Sequence, residues 1–419
     1  MSAHLLPAQP GPFAPALRAA ARAAFEAAGL PTRRTEDWKY TAAVRHLADT
    51  AWAFDGGRAP AALPEVAGAA RLVFVNGRFA PALSAHLDLP AGVTVERLAE
   101  APAHAAYGAL AELEGHPFAA LNTAAAVDGL QVVVGRNQQA PALHLVHVAA
   151  ADADEAVLSC PRVLVVAEAG AQVKLIEEFV SHGAGRTAAA AVTEIQVGPN
   201  AQVEHTELFH QDPERAWHLG RVQVTVDRDG RFAHHHVSLG GALTRSEVRL
   251  KFLAPGGEFT ANGLYASHGQ QHHDHHAVIE HAVPRCTSDQ TYKGLIGGAA
   301  RGVFTGQVIV APGAHHTRAD QHNPNLLLTN SARIDTRPQL IIDNDDVLCS
   351  HGATTGQLDE AAVFYLMARG VPRAEAQRML GQAFADEVLD KLPWPDVAER
   401  ARAAVRRDLF GTELAEVAQ

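Results

Sequence analysis

Gly170-Ala-Gln-Val173, Asn200-Ala-Gln-Val203, Gly230-Arg-Phe232 and Gly257-Glu-Phe259 open four successive segments in the middle of the chain. Each sets a turn residue two or three positions ahead of an apolar one. The apolar members Val173, Val203, Phe232 and Phe259 recur at a nearly even interval of about 30 residues. Around them, from about 130 to 350, short runs of β-forming residues are separated by Gly, Asn, Pro and Asp, with no helical period. A repeat of this length in a β-rich stretch predicts a solenoid. One coil cannot bury its inward side chains alone, so coils stack and the Val and Phe positions become internal ladders. A sandwich would show hairpin turns about every 8–12 residues. A hexapeptide helix needs a strict six-residue period, and a propeller needs blades of about 40–50 residues; neither is found. The expected core is a right-handed parallel β-helix over residues 131–355, in a mainly β chain.

The flanks read differently. Residues 1–130 form an N-terminal helical and mixed α/β region. Pro15 near the start and Gly29 at the end bracket a helix, and Arg71-Leu-Val-Phe-Val-Asn-Gly77 reads as a strand closed by an Asn-Gly turn. Residues 356–419 return to helical periodicity: Asp359 to Gly370, then a stripe through Ala376, Met379, Leu380, Ala383, Phe384, Val388 and Leu389, then a helix from about Asp396 to Phe410. Such a unit is expected to cover the open end of the stack and to offer its outer face to a partner.

Composition narrows the function. A net charge of −11 over 419 residues argues against a nucleic acid or an anionic membrane as partner, because phosphate binding needs clustered positive charge. No apolar run approaches a membrane span of roughly 18–20 residues. Cys160, Cys286 and Cys349 are widely spaced without a CxxC, which excludes a disulfide framework and a four-cysteine zinc site and fits a reducing cytoplasm. There is no GxSxG, HExxH, P-loop or GxGxxG, so any ATP dependence has to come from another subunit.

Two places can carry chemistry. Of 24 histidines, the densest group is His272-His-Asp-His-His276 with His268 and His281 beside it. On a strand, His272, Asp274 and His276 share one face and His273 and His275 the other. Imidazole with carboxylate suits Fe, Zn, Ni or Cu, which makes the first set a metal candidate; the plainer reading is a solvated strand face with His in place of Thr or Gln. The pairs His234–His236 and His315–His316 read the same way. The metal reading would make the chain a metal-dependent β-helix enzyme acting on a small molecule or polysaccharide. The other place is Cys349-Ser-His351, where the β pattern gives way to helices. Cys349 and His351 share a strand face, about 6.5–7 Å apart along it, and a thiolate and an imidazole so placed can ligate one soft metal or bind iron together with a partner chain. The plainer alternative is a buried free cysteine beside a capping histidine.

The stretch from Gly263 to Gly370 resembles the SufB/SufD family of iron–sulfur cluster assembly scaffolds. The residues that carry the likeness include Gly263-Leu-Tyr265, Arg301-Gly-Val-Phe-Thr-Gly306, Asp335-Thr-Arg-Pro-Gln-Leu340 and, most specifically, Cys349-Ser-His-Gly-Ala-Thr354. Trp38-Lys-Tyr-Thr41 and Phe118-Ala-Ala-Leu-Asn-Thr123 are similar too. Ser350 stands where SufB-like chains have Glu, which brings the sequence nearer the SufD branch. The resemblance implies a non-catalytic scaffold that pairs with a SufB-like chain through the β-helix end and binds a SufC-like ABC ATPase through its C-terminal helices. It implies His351, with Cys349 beside it, as ligands to iron or a nascent cluster at that interface, and reduced flavin as a cofactor found in some such complexes. A homodimer through the same end strand, when SufB is absent, stays open.

Overall fold

The computed structural model describes residues 5–6, 14–41, 44–100 and 104–411. The middle of the chain is a parallel β-solenoid whose successive strands alternate between two ten-stranded sheets. The sequence repeat is the stacking repeat: Val173 lies opposite Val203, Val203 opposite Phe232, and Phe232 opposite Phe259. All four are buried in one continuous core, and the Phe232 and Phe259 rings stack 5.8 Å apart at 9°.

The turns repeat as faithfully as the core. Asn137, Gly170, Asn200, Asp229, Gly256, Arg285 and His316 all have left-handed backbones, one per coil. They are stitched together by backbone bonds, with Gly170 donating to Pro199, Asn200 to Arg228 and Asp229 to Pro255. In the third and fourth segments the left-handed residue is therefore Asp229 and Gly256, one position before the Gly230 and Gly257 that stand out in the sequence. The spacing from left-handed residue to first ladder residue is then the same in every segment. Asn, Asp and Gly tolerate this conformation best. At Gly256 a β-carbon would meet Asp229 Oδ1 at 2.0 Å, so any side chain there would have to displace the Asp229 carboxylate.

The N-terminal region lies over the outer face of one sheet. Phe25, Trp38, Phe118 and Leu121 pack there on Ala188, Ala190, Leu219 and Leu243, the small alanines letting helices Pro15–Ala28 and Pro117–Ala125 come close. The strand Ala70–Val75 ends in a left-handed Asn76-Gly77 turn, as the sequence predicts, and pairs in parallel with Leu143–Ala150.

The C-terminal helices Glu360–Met367, Arg373–Leu389 and Pro395–Phe410 do not cover the open end. Val388, Leu389, Val397, Ala401 and Val405 instead pack along the outer face of the second sheet, against Ile176, Leu208, Val237, Leu264 and Leu295. The sequence cannot show this preference, which follows from the apolar outward residues of that sheet: they need a cover, and the helical stripe supplies it. The last strands, Arg333–Ile342 and Val347–Gly356, stay partly or fully exposed.

Candidate functional site at the open end

Among the described residues, Val347–Gly356 pairs on one side only, with Thr317–Leu327, and Arg333–Ile342 pairs only with Arg301–Val310. Both sheets thus end in a long edge strand with unpaired backbone groups. Such an edge is a template for another chain unless something blunts it. Here Leu348, Ile341 and Ile342 make it more apolar, with Leu348 67% exposed.

Cys349 and His351 lie on this last strand in the columns that run inward elsewhere. Cys349 stacks on Ala319 and His351 on Gln321; behind Gln321 come Gln290, Ala261 and His234. Both residues therefore look along the mouth of the solenoid, and on the other edge strand Thr336 donates to Asn323 Oδ1 at 2.7 Å. His351 is exposed and, among the described residues, has no hydrogen-bond or ion-pair partner. Ser350 points away and donates to Asp320.

The three thiols differ sharply. Burial pushes Cys160 up to about 12, and Cys286 is also buried, so neither is a ready ligand. Cys349 is half-buried, and burial, with a smaller contribution from Asp320, pushes its thiol up as well. Of the two, His351 is the more exposed side chain, and Cys349 is the half-buried one with the raised thiol.

The histidine-rich strand is not a solvated face. His272–His281 is buried along nearly its whole length, because both of its faces are covered: His273 and His275 by the solenoid core, His272, Asp274 and His276 by the N-terminal region. The second set is bound to protein groups. Arg245 pairs with Asp274 and lies 2.8 Å from His276 Nε2, its guanidinium 3.9 Å from the Trp38 ring centroid. Thr41 donates to Asp274 and its hydroxyl lies 3.1 Å from His272 Nε2. Burial alone would raise Asp274, but Arg245 and the neighbouring imidazoles hold it well below the usual carboxylate range. A cation already fills the centre of this set, and it is arginine. His234 and His236 are likewise buried, inside the solenoid and not on a solvated face. His315 and His316 are exposed turn residues, with His316 Nδ1 3.1 Å from Asp346.

Sequence reading missed Gln321 and Gln290, which stack behind His351 in the same column. The signal was present: Gln290, Gln321 and His351 recur at the same interval as the core ladder.

The matches to known proteins fall along this architecture. The family description "SufBD protein N-terminal region" matches residues 3–142, and "SUF system FeS cluster assembly, SufBD core domain" matches residues 148–384. An iron–sulfur cluster assembly SufBD family protein of Synechocystis is 33% identical over 90% of this chain and 87% of its own. The iron–sulfur cluster assembly protein SufD of Escherichia coli is 32% identical over 91% of this chain and 90% of its own. That of Bacillus subtilis is 26% identical over 71% and 68%.

Proposed function

The chain belongs to the SufBD family of iron–sulfur cluster assembly proteins, and we propose that it is a non-catalytic scaffold subunit of a SufBCD-type complex in the cytoplasm. In this reading the open end pairs with the corresponding end of a SufB-like chain, and His351, with Cys349, supplies ligands to iron or a nascent cluster held between the two. Iron is cargo here. The observation that carries the reading is the placement of these two residues, facing the mouth on a terminal strand with an unpaired apolar edge. An imidazole and a thiol make an incomplete ligand set that a facing chain completes.

The C-terminal helices supply the second docking surface. Phe364 and Tyr365 are 71% and 56% exposed, on a unit anchored to the solenoid through its other face. A SufC-like ATPase bound there would hydrolyse ATP, and its motion would reach the solenoid through Val388, Leu389 and Val397. The polysaccharide-enzyme reading gains nothing, because the histidines it relied on are engaged with Arg245 and Thr41.

Co-expression with a SufB-like and a SufC-like chain tests the assignment. Leu348→Lys with Ile341→Lys should abolish co-purification of the SufB-like chain while changing the stability of the isolated subunit by less than about 0.5 kcal/mol, as exposed substitutions do. Phe364→Asp should release only the ATPase. Retention of both partners by both variants would contradict the proposed surfaces.

A further inference from the structure

We propose that Glu207, His234 and His236 form a buried site for a first-row divalent cation, zinc or ferrous iron, that pins neighbouring coils together from inside. The three side chains project into the solenoid from adjacent strands, Glu207 opposite His236 and His205 opposite His234. All are at most 3% exposed. Glu207 Oε2 lies 3.3 Å from His236 Nδ1 and 3.5 Å from His234 Nε2, and the three ligand atoms are all within 4.8 Å of one another. Among the described residues no other His, Cys, Asp or Glu trio converges this way.

The spacing is informative. Nitrogen and oxygen ligands roughly 2.0–2.1 Å from a tetrahedral ion sit about 3.3–3.4 Å from each other. The two separations to Glu207 Oε2, 3.3 and 3.5 Å, lie at or just above that value, and the third closes by small rotations of the imidazoles. Glu177, one coil earlier, is the contrast. It accepts from Thr193 at 2.7 Å and lies 3.0 Å from His205 Nε2 and 3.1 Å from His147 Nε2, a carboxylate saturated by hydrogen bonds. Among the described residues, Glu207 receives only Ser246, at 3.4 Å, and the two long imidazole contacts, and no Arg or Lys pairs with it. A buried carboxylate left this open is costly, and a cation shared with two imidazoles removes that cost. One carboxylate and two imidazoles select zinc or ferrous iron over magnesium or calcium, which prefer all-oxygen shells.

The site is separate from the mouth: His234 and His351 occupy one column four strand steps apart, about 19 Å at the usual strand spacing. The test uses the full-length chain, expressed with zinc or with iron supplied, passed over a chelating resin and analysed for metal. About one tightly held equivalent is expected for the wild type and for Cys349→Ser with His351→Ala, since a closed site exchanges slowly. Glu207→Gln with His236→Phe should lose that equivalent. X-ray absorption on the wild-type protein supplies a readout that depends on no variant and should show nitrogen and oxygen neighbours without sulfur. A metal-free wild type under both supplements, full retention by the Glu207→Gln, His236→Phe variant, or a sulfur-ligated metal would each overturn the proposal.

Discussion

Acid should unfold this protein earlier than its carboxylates can explain, because the solenoid buries imidazoles that must stay neutral. His218, His273 and His281 have no exposed surface. Burial holds His218 and His273 down at about 3 and His281 at about 4. On unfolding, each returns to the ordinary value of about 6.5. The unfolded chain therefore binds more protons as pH falls, so their contribution to stability is complete above about 6.5 and is lost on the way down to 4 and 3. At pH 5 each unfolded imidazole gains roughly RT ln(1 + 10^1.5), about 2 kcal/mol, while the folded one gains almost nothing. Three of them together remove about 6 kcal/mol between pH 7.5 and 5, against a total stability on the order of 5–15 kcal/mol. These three alone bring the slope toward three protons, about 4 kcal/mol per pH unit, and His234, His235 and His275, which burial also holds low, add to it. Glu177 is the complementary case: burial would raise it, but His147 and His205 hold it far below the usual range, and its contribution fades only below the unfolded carboxyl value of about 4.3. The window from pH 6.5 to 5 thus isolates the histidines. Urea unfolding across that window reads the slope directly. His281→Gln, which can still reach the Ser288 hydroxyl that lies 2.9 Å from His281 Nε2, should reduce it by about one proton. A slope below one proton in the wild type would refute the reasoning.

Two further outcomes follow from the packing. Phe232→Ala empties a position between Val203 and Phe259 in the buried ladder and should cost about 3–5 kcal/mol by urea or thermal unfolding. Arg245→Leu strands a buried Asp274 carboxylate; a loss of about 3–5 kcal/mol is expected, with new proteolytic cleavage near Trp38 as the N-terminal cover loosens.

The solenoid was legible because its ladder is periodic: Val173, Val203, Phe232 and Phe259 announce the coil by spacing alone. The left-handed turns were only half legible, since Asp229 is a less obvious punctuation mark than the Gly230 beside it. The histidine-rich strand misled for a physical reason. Alternation along a strand tells which side chains share a face, but not what covers that face, and the cover here is Trp38 and Thr41, from near the other end of the sequence. Arg245 could not be paired with Asp274 until the repeat fixed the register between their strands. Cys349 and His351 were found from their alternation and from family likeness, yet their position at a mouth depends on the helices leaving the solenoid end open. The internal Glu207, His234 and His236 group was hidden in plain terms: His205 to His234 and Glu207 to His236 each repeat the step that joins Val203 to Phe232.

The most direct measurement is cluster formation by the reconstituted, anaerobic complex of this chain with its SufB-like and SufC-like partners, comparing wild type with His351→Ala. The account predicts an assembled complex with normal ATP hydrolysis but clearly reduced bound iron and cluster yield. An assembled complex that forms clusters at the wild-type level would contradict it.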